Sequence, residues 1–243
     1  MTDQPFQGPT FPQPPEDTGL GRSVFLGQIK PVGGVGMAAA VLIVIATVLT
    51  AVDSWADWHR YLVLNDFVSG SGTVTLDDLD SADHLALATV VFAVSGLVGA
   101  GVVFLVWLWR ARQNAENLCM AHHRRARGWV VGSWICPVVN LWFPFMILDD
   151  IHRASRPDNP PDLLDLRTVR GSQLIGWWWA LWIAVWGTSR AASVNPRGDP
   201  TVDTFRSLAI VGTVGTVATI GAAVLIIRIM REISGWQTPR WTN

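Results

Sequence analysis

The stretch 129–148, WVVGSWICPVVNLWFPFMIL, carries no charged side chain over twenty residues and limits the possible folds of this chain more than any other feature. A helix of that length would reach about 30 Å, enough to cross a bilayer. Pro137 and Pro144 argue against an uninterrupted helix, because each lacks a backbone donor and clashes with the carbonyl four residues earlier. Irregular backbone at membrane depth needs partners in protein or water, and Asn140 offers an amide there. We therefore predict a broken helix that is either re-entrant or interfacial.

Four other runs are long and free of charge, which is typical of transmembrane helices. They cover residues 32–52, 85–109, 171–189 and 208–227. Only 15% of all residues are charged, whereas a soluble domain usually has about 25%. The predicted fold is an all-α integral membrane protein with four transmembrane helices plus one proline-broken segment. The bilayer is therefore the first expected partner, and the net charge of −1 gives no reason to expect nucleic acid.

Two tails flank the predicted membrane domain, which covers residues 31–235. Residues 1–30 are rich in proline and polar side chains, and such composition buries too little apolar surface to offset the entropy of ordering. We predict a disordered cytoplasmic tail there, and a short C-terminal tail at 236–243.

Arginine and lysine counts indicate whether 129–148 crosses the membrane or returns, because these residues concentrate on the cytoplasmic side. If the segment returns, 14 basic residues lie inside and 4 outside; if it crosses, the numbers are 10 and 8. The first arrangement is favoured, and it also places the acidic region 53–84 outside as a loop. Both termini are then cytoplasmic, and the expected location is the bacterial plasma membrane.

Several local patterns between residues 107 and 182 occur together. They are Trp107-Leu-Trp-Arg110-Ala-Arg-Gln-Asn114, Gly128-Trp129, Trp134-Ile-Cys-Pro137-Val-Val-Asn140-Leu-Trp142-Phe-Pro144-Phe, Asp150-Ile-His-Arg153-Ala-Ser155 and Trp177-Trp-Trp-Ala-Leu-Trp182. This set resembles the domain of unknown function 4328 family, actinobacterial polytopic membrane proteins, over roughly residues 85–235. The chain departs from that pattern at Phe143 and at Ala126-Arg127. The family has no established activity, so the resemblance implies a fold and a location but no function.

Ten residues are candidates for the structural or functional core, because they are polar groups near apolar runs, helix-breaking prolines or membrane tryptophans. They are Arg110, Asn114, Trp129, Trp134, Pro137, Asn140, Pro144, Arg153, Trp178 and Trp182. Trp178, Trp182 and Trp186 recur every four residues and so share one helix face. That face either packs against the broken segment or forms a stacking surface for an aromatic, cationic or sugar-like ligand.

The basic residues of 110–128 have two interpretations. They could form a collar that binds anionic lipid or a membrane-protein partner, or they could only anchor the helix on the cytoplasmic side. Small residues at Ser95 and Gly99, and at Gly212 and Thr216, are spaced for close helix approach. This spacing suits packing within the chain and contacts in a homo-oligomer equally well.

No cofactor or metal is expected from the sequence. Cys119-x-x-His122-His123 has ligand-like spacing, but no second paired motif follows it. The spans contain no ionisable group, and the chain has no phosphate loop or nucleophile elbow. We therefore predict that the protein is not an enzyme.

The leading functional hypothesis is a non-enzymatic scaffold or accessory subunit with a basic cytoplasmic face. The alternative is a small-solute or ion channel or facilitator, lined by the broken segment with Arg110 and Asn114 at its mouth. An intramembrane enzyme or lipid-modifying protein is a third hypothesis, which depends on a polar pocket shared by Asn140 and Arg153.

Overall fold

The computed structural model describes residues 29–70, 72, 74–160, 163–192 and 201–238, and the regular structure of these residues is helical. Most of the predicted disordered tail and the last five residues of the chain fall outside the described residues. The helices are α1 (Gly33–Val68), α2 (Leu76–Leu118), α3 (Trp129–Ile135), α4 (Phe143–Ala154), α5 (Gln173–Ala192) and α6 (Val202–Gln237). Short 3₁₀ turns occur at Val139–Leu141 and Leu166–Thr168.

The four long helices lie side by side in the order α2, α1, α6, α5. The C-terminal ends of α2 and α6 lie beside the start of α1, and this end of the bundle is called the junction end below. The short helices α3 and α4 pack against α2, and α4 also contacts α5. Large buried side chains concentrate where α2, α4 and α6 approach one another: Trp107, Leu108, Ile147, Ile151, Ile229 and Ile233.

Three of the long helices extend well beyond the apolar runs that predict them. α1 continues sixteen residues past residue 52, and α6 begins before and ends after the predicted span 208–227. Polar groups of α1 find partners on α6, since the Trp58 indole donates to the Thr213 hydroxyl at 2.8 Å. Polar residues that find such partners are accommodated within the helix, so the helix continues past its apolar run. α6 ends only at Gln237, so the first residues of the predicted C-terminal tail are helical.

The acidic region 53–84 is not the extended outer loop that its composition suggests. α1 runs to Val68, and α2 begins at Leu76, nine residues before the predicted start of its span. A capping box starts α2, because the Thr75 hydroxyl accepts from the Asp78 amide while the Asp78 carboxylate accepts from the Thr75 amide. The acidic side chains here therefore stabilise a helix N-terminus.

Among the described helices, α1, α2 and α6 are long and apolar enough to cross a membrane. α1 alone is about 54 Å long, whereas a bilayer's hydrocarbon core is about 30 Å thick. The length of α1 exceeds what a single crossing of the hydrocarbon core requires. α5 has twenty residues but includes five tryptophans, residues that are typical of membrane interfaces.

Close contacts of α1 with its neighbours depend on glycine, as Gly96 and Gly36 show. A methyl group on Gly96 of α2 would lie 2.8 Å from the Leu49 side chain of α1, inside normal van der Waals distance. A methyl on Gly36 would lie 3.2 Å from both Trp107 and Ser234. Glycine at these positions therefore lets α1 approach its neighbours closely.

The segment 129–148 is broken at its prolines. α3 ends at Ile135, directly before Cys136 and Pro137, and the 3₁₀ turn follows. Pro144 occupies the first turn of α4, where its missing N–H is not needed. The chain folds back on itself, since the Trp129 and Phe143 rings meet edge to face with centroids 5.0 Å apart.

Candidate functional site

Two buried amides connect the segment before α1 with the end of α6 at the junction end of the bundle. The Asn114 side chain accepts from the Lys30 amide at 2.8 Å and donates to the Lys30 carbonyl at 2.8 Å. It also donates to the Gln237 side-chain oxygen at 3.2 Å. Gln237 in turn donates to the Ala111 carbonyl at 2.9 Å and to the Ser155 hydroxyl at 2.7 Å. This polar junction ties the segment before α1 to α2, α4 and α6.

Consecutive aspartates on α4 form a second polar cluster, called the clamp here, with Arg124 and Arg153. The Arg124 guanidinium lies 2.7 Å from a carboxylate oxygen of Asp149 and 2.7 Å from one of Asp150. Arg153 approaches Asp149 at 3.0 Å. The Arg124 backbone amide also donates to Asp150 at 2.8 Å. The clamp therefore fixes the chain before α3 against the middle of α4.

Both carboxylates of the clamp are almost fully buried. Burial raises the pKa of Asp150, while the hydrogen bonds and positive charge of Arg124 oppose that rise. A buried carboxylate is tolerated only where such partners replace its lost hydration. The arrangement therefore suits a structural ion pair and not a free acid or base.

Arg153 connects the clamp to the segment that precedes α5. Its guanidinium donates to the Leu166 carbonyl at 3.2 Å and also to the Val169 carbonyl. A methyl group on Gly171 would lie 2.5 Å from this guanidinium and 3.1 Å from the Asp149 carboxylate. Glycine at 171 thus allows the chain to pass directly over the ion pair.

A third group of charges connects the last turns of α2 with the loop between α2 and α3. Glu116 pairs with Arg112 at 2.8 Å and also with Arg127, and Arg112 donates to the Arg125 carbonyl at 2.8 Å. Beside them, both ring nitrogens of His123 are buried and have no partner among the described residues. Burial, together with the positive charge of Arg112, lowers the pKa of His123 to about 4. His123 is therefore neutral at neutral pH.

His152, on α4, is also held neutral by its surroundings. Burial lowers the pKa of His152, and the Glu232 carboxylate at 3.6 Å opposes that shift only in part. The imidazole packs edge to face against Trp236 with centroids 4.9 Å apart. These contacts join α4 to the last turns of α6.

A cavity of about 240 Å³ lies between the broken segment and α5. Its lining comprises Trp134, Ile135, Pro137, Asn140, Leu141, Trp182, Ile183 and Trp186. Trp134 and Trp182 meet edge to face with centroids 5.7 Å apart, which stabilises the contact of the two segments. The Trp179 indole also donates to the Leu141 carbonyl at 3.0 Å. Trp182 therefore packs on the broken segment and also faces the cavity.

The ten predicted core residues separate into distinct places. Four of them surround the cavity: Trp134, Pro137, Asn140 and Trp182. Asn114 belongs to the polar junction and Arg153 to the clamp. Arg110 donates to the Pro31 carbonyl at 3.3 Å.

The remaining three members have structural roles. Trp129 packs against Phe143, and Pro144 is buried in the first turn of α4. Trp178 is also buried and lies beside Trp179.

Two predicted groupings are wrong. Arg153 is fully engaged with Asp149 and with carbonyls near α5, so it does not share a pocket with Asn140. Arg110 and Asn114 do not line the cavity either, because they lie on α2 next to Lys30 and Pro31. The cavity therefore lacks the polar mouth that the channel hypothesis assigned to it.

The sequence did not single out several residues that organise this end of the molecule. Asp149 and Asp150 are a visible signal, since two adjacent acids directly follow a long apolar run. Gln237 lies within the predicted C-terminal tail 236–243, and nothing in its local sequence distinguishes it. Within the described residues, no group of three or more histidine, cysteine or acidic side chains could hold a metal ion.

Comparison with known proteins places the chain in a family. No curated protein and no solved structure matches the chain. A family model, described only as a domain of unknown function, matches residues 71–235, which is more than half of the chain and includes both the clamp and the cavity. This chain is therefore a member of the domain of unknown function 4328 family.

Proposed function

We propose that this protein is a non-enzymatic scaffold or accessory subunit of the bacterial plasma membrane, with its junction end in the cytoplasm. The observation that carries the proposal is the state of the polar groups at that end. The amides of the junction and the carboxylates of the clamp are buried, and each is hydrogen-bonded within its own cluster. The junction and the clamp together therefore form a rigid unit, called the platform below. Catalysis, by contrast, needs a group that is free to react.

The surface of this platform is basic. Exposed arginines without a carboxylate partner in the described part of the chain surround it: Arg167, Arg170, Arg228 and Arg231. The opposite end carries the acidic side chains of α1 and of the start of α2. Positive charge concentrates on the cytoplasmic side of membrane proteins, so this asymmetry supports a cytoplasmic junction end with both termini inside.

The topology that we propose has four spans, α1, α2, α5 and α6, and a re-entrant hairpin at 129–148. Contact between Arg124 and Asp150 supports the hairpin, because the residues on either side of it then lie together. Its tip is apolar and exposed, with Ile135 77% and Val138 65% exposed. An apolar tip of this kind is suited to contact with lipid.

Cysteine labelling tests this topology. In a chain whose own Cys119 and Cys136 are replaced by alanine, we expect Met120→Cys and Leu164→Cys to be protected from an impermeant thiol reagent in intact cells. Val68→Cys, at the other end of the bundle, should be labelled. All three native side chains are exposed, so protection reports sidedness. Labelling of Leu164→Cys from outside with Met120→Cys protected would mean that 129–148 crosses the membrane.

Assembly measurements test the scaffold role. The full chain, extracted in mild detergent, should run as a homo-oligomer or as a defined complex in size-exclusion chromatography with light scattering. Charge reversal of the platform, Arg167→Glu with Arg170→Glu, should reduce the assembled fraction at least fivefold. Arg206→Glu makes the same kind of change on an exposed residue at the other end of the chain's last helix, and it should assemble as the wild type does.

A monomer in every preparation would contradict the scaffold role.

The cavity beside Asn140 is the observation that favours the channel or facilitator alternative. Solute flux into liposomes that hold the purified monomer would support that alternative instead.

A further inference from the structure

A groove of about 370 Å³ on α2 has the features of a lipid site. Its lining consists of Lys30, Val102, Leu105, Val106, Trp109, Arg110, Gln113 and Val131. Its volume falls within the range of ligand clefts, roughly 300–1,000 Å³. The groove is separate from the cavity beside Asn140, with which it shares no lining residue.

One side of the groove is a continuous apolar stripe. Val102, Leu105 and Val106 recur at spacings of three and one, and Trp109 follows three residues later, so they share one face of α2. Val102 is 57% exposed and Val106 43% exposed, and both lie in a helix that is long and apolar enough to cross a membrane. Side chains exposed at this position contact lipid tails. The stripe from Val102 to Arg110 is about 12 Å long, enough for the upper part of an acyl chain.

The end of the groove is cationic. Lys30 and Arg110 lie where the apolar run of α2 stops. Within the part of the chain that the structure describes, neither side chain has a carboxylate partner. Arg110 makes one long hydrogen bond, 3.3 Å, to the Pro31 carbonyl. The Gln113 amide lies beside them. Two unpaired cations next to an apolar stripe complement a phosphate that is attached to an acyl chain.

The position of Lys30 is fixed by the polar junction. Its backbone amide and carbonyl both bond to the buried Asn114 side chain. These bonds fix the backbone of Lys30 beside the groove and leave its ammonium group free to bind. A cation fixed in this way loses less entropy on binding than one on a free tail.

From this arrangement we propose that the groove binds an anionic phospholipid, with its phosphate at Lys30 and Arg110 and an acyl chain along Val102–Val106. The proposal concerns a lipid and not a protein partner, so it is independent of the scaffold role. Each cation near an anionic lipid surface contributes about fivefold to binding. Removal of both charges should therefore weaken the preference for anionic lipid roughly 25-fold.

Native mass spectrometry of the full chain, released from nanodiscs of equal phosphatidylglycerol and phosphatidylcholine, tests the proposal. The wild type should retain phosphatidylglycerol in clear excess over phosphatidylcholine. Lys30→Gln with Arg110→Gln should abolish that excess, whereas Arg110→Lys should keep it. Arg206→Gln, which removes one exposed charge remote from the groove, is the matched control. Val106→Trp should reduce retention of both lipids by filling the groove.

A second measurement separates lost binding from lost folding. Added phosphatidylglycerol should raise the melting temperature of the wild type in detergent, because a ligand that binds only the folded state stabilises it. Without lipid, the double variant should melt at the same temperature as the wild type. Added phosphatidylglycerol should not raise the melting temperature of the double variant. Equal retention of the two lipids by the wild type would overturn the proposal. So would an undiminished phosphatidylglycerol excess in the double variant.

Discussion

Replacement of Asp149 by alanine is expected to destabilise the protein by about 3 kcal/mol, the lower end of the range for breaking a buried ion pair. Asp149 is buried and neutralises two arginines, Arg124 at 2.7 Å and Arg153 at 3.0 Å. Its removal takes the carboxylate partner from Arg153 and one of two carboxylates from Arg124. Arg124 keeps Asp150, and both arginines retain partial access to water, so the cost does not reach the upper end of the range.

The measurement is thermal unfolding of the purified variant in detergent, followed by tryptophan fluorescence. Asp158→Ala is the matched control, because Asp158 also pairs with an arginine but is well exposed, and exposed pairs contribute little. It should melt within a degree or two of the wild type. Asp149→Asn should fall between the two, since an amide can still accept from one arginine but carries no charge.

Asp149→Ala should also loosen the structure locally. The clamp fixes the chain before α3 to α4, so its loss should free the 129–148 hairpin before the long helices unfold. Hydrogen exchange in peptides covering 124–135 should accelerate in Asp149→Ala and stay unchanged in Asp158→Ala. An Asp149→Ala protein with wild-type melting and exchange would show that the clamp contributes nothing to stability.

The helices and the break in 129–148 follow from local properties of the sequence. Charge-free runs predict α1, α2 and α6, and the chemistry of Pro137 predicts where α3 must stop. The ends of the long helices were not predictable in the same way. Whether a helix continues past Asp53 depends on partners far along the chain, such as Thr89, whose hydroxyl donates to that carboxylate at 2.9 Å.

The residues of the candidate site were likewise predictable from the sequence only in part. Proline and tryptophan have recognisable roles in a membrane segment, so Trp134, Pro137 and Trp182 beside the cavity were identifiable from their residue type. Of the two amides of the polar junction, only one could be singled out from the sequence. Asn114 lies within a recognisable pattern, but its partner Gln237 is 123 residues away. No local pattern predicts a hydrogen bond over that separation, because it arises only once α2 and α6 have packed.

Asn114→Ala is expected to destabilise the protein by about 2–4 kcal/mol and to release the segment before α1. Asn114 is fully buried and makes three hydrogen bonds. Its removal leaves the Gln237 side-chain oxygen without a donor and the Lys30 amide and carbonyl without their partner. An unsatisfied buried polar group costs about 1–3 kcal/mol, and water can reach the Lys30 groups more easily than Gln237. Asn65→Ala, a half-buried asparagine on α1, is the matched control and should have little effect.

A double-mutant cycle and a local probe assign this loss to the junction. Asn114→Ala and Gln237→Ala remove the same hydrogen bond, so the combined variant should lose at least about 0.5 kcal/mol less than the sum of the two single losses. Hydrogen exchange at the Lys30 amide should accelerate in Asn114→Ala and remain slow in Asn65→Ala. Asn114→Asp separates the two halves of the junction, because a carboxylate still accepts from the Lys30 amide but cannot donate to the Lys30 carbonyl or to Gln237. Additive losses, with unchanged exchange at Lys30, would mean that the amides do not act as one junction and that the start of α1 is held by other contacts.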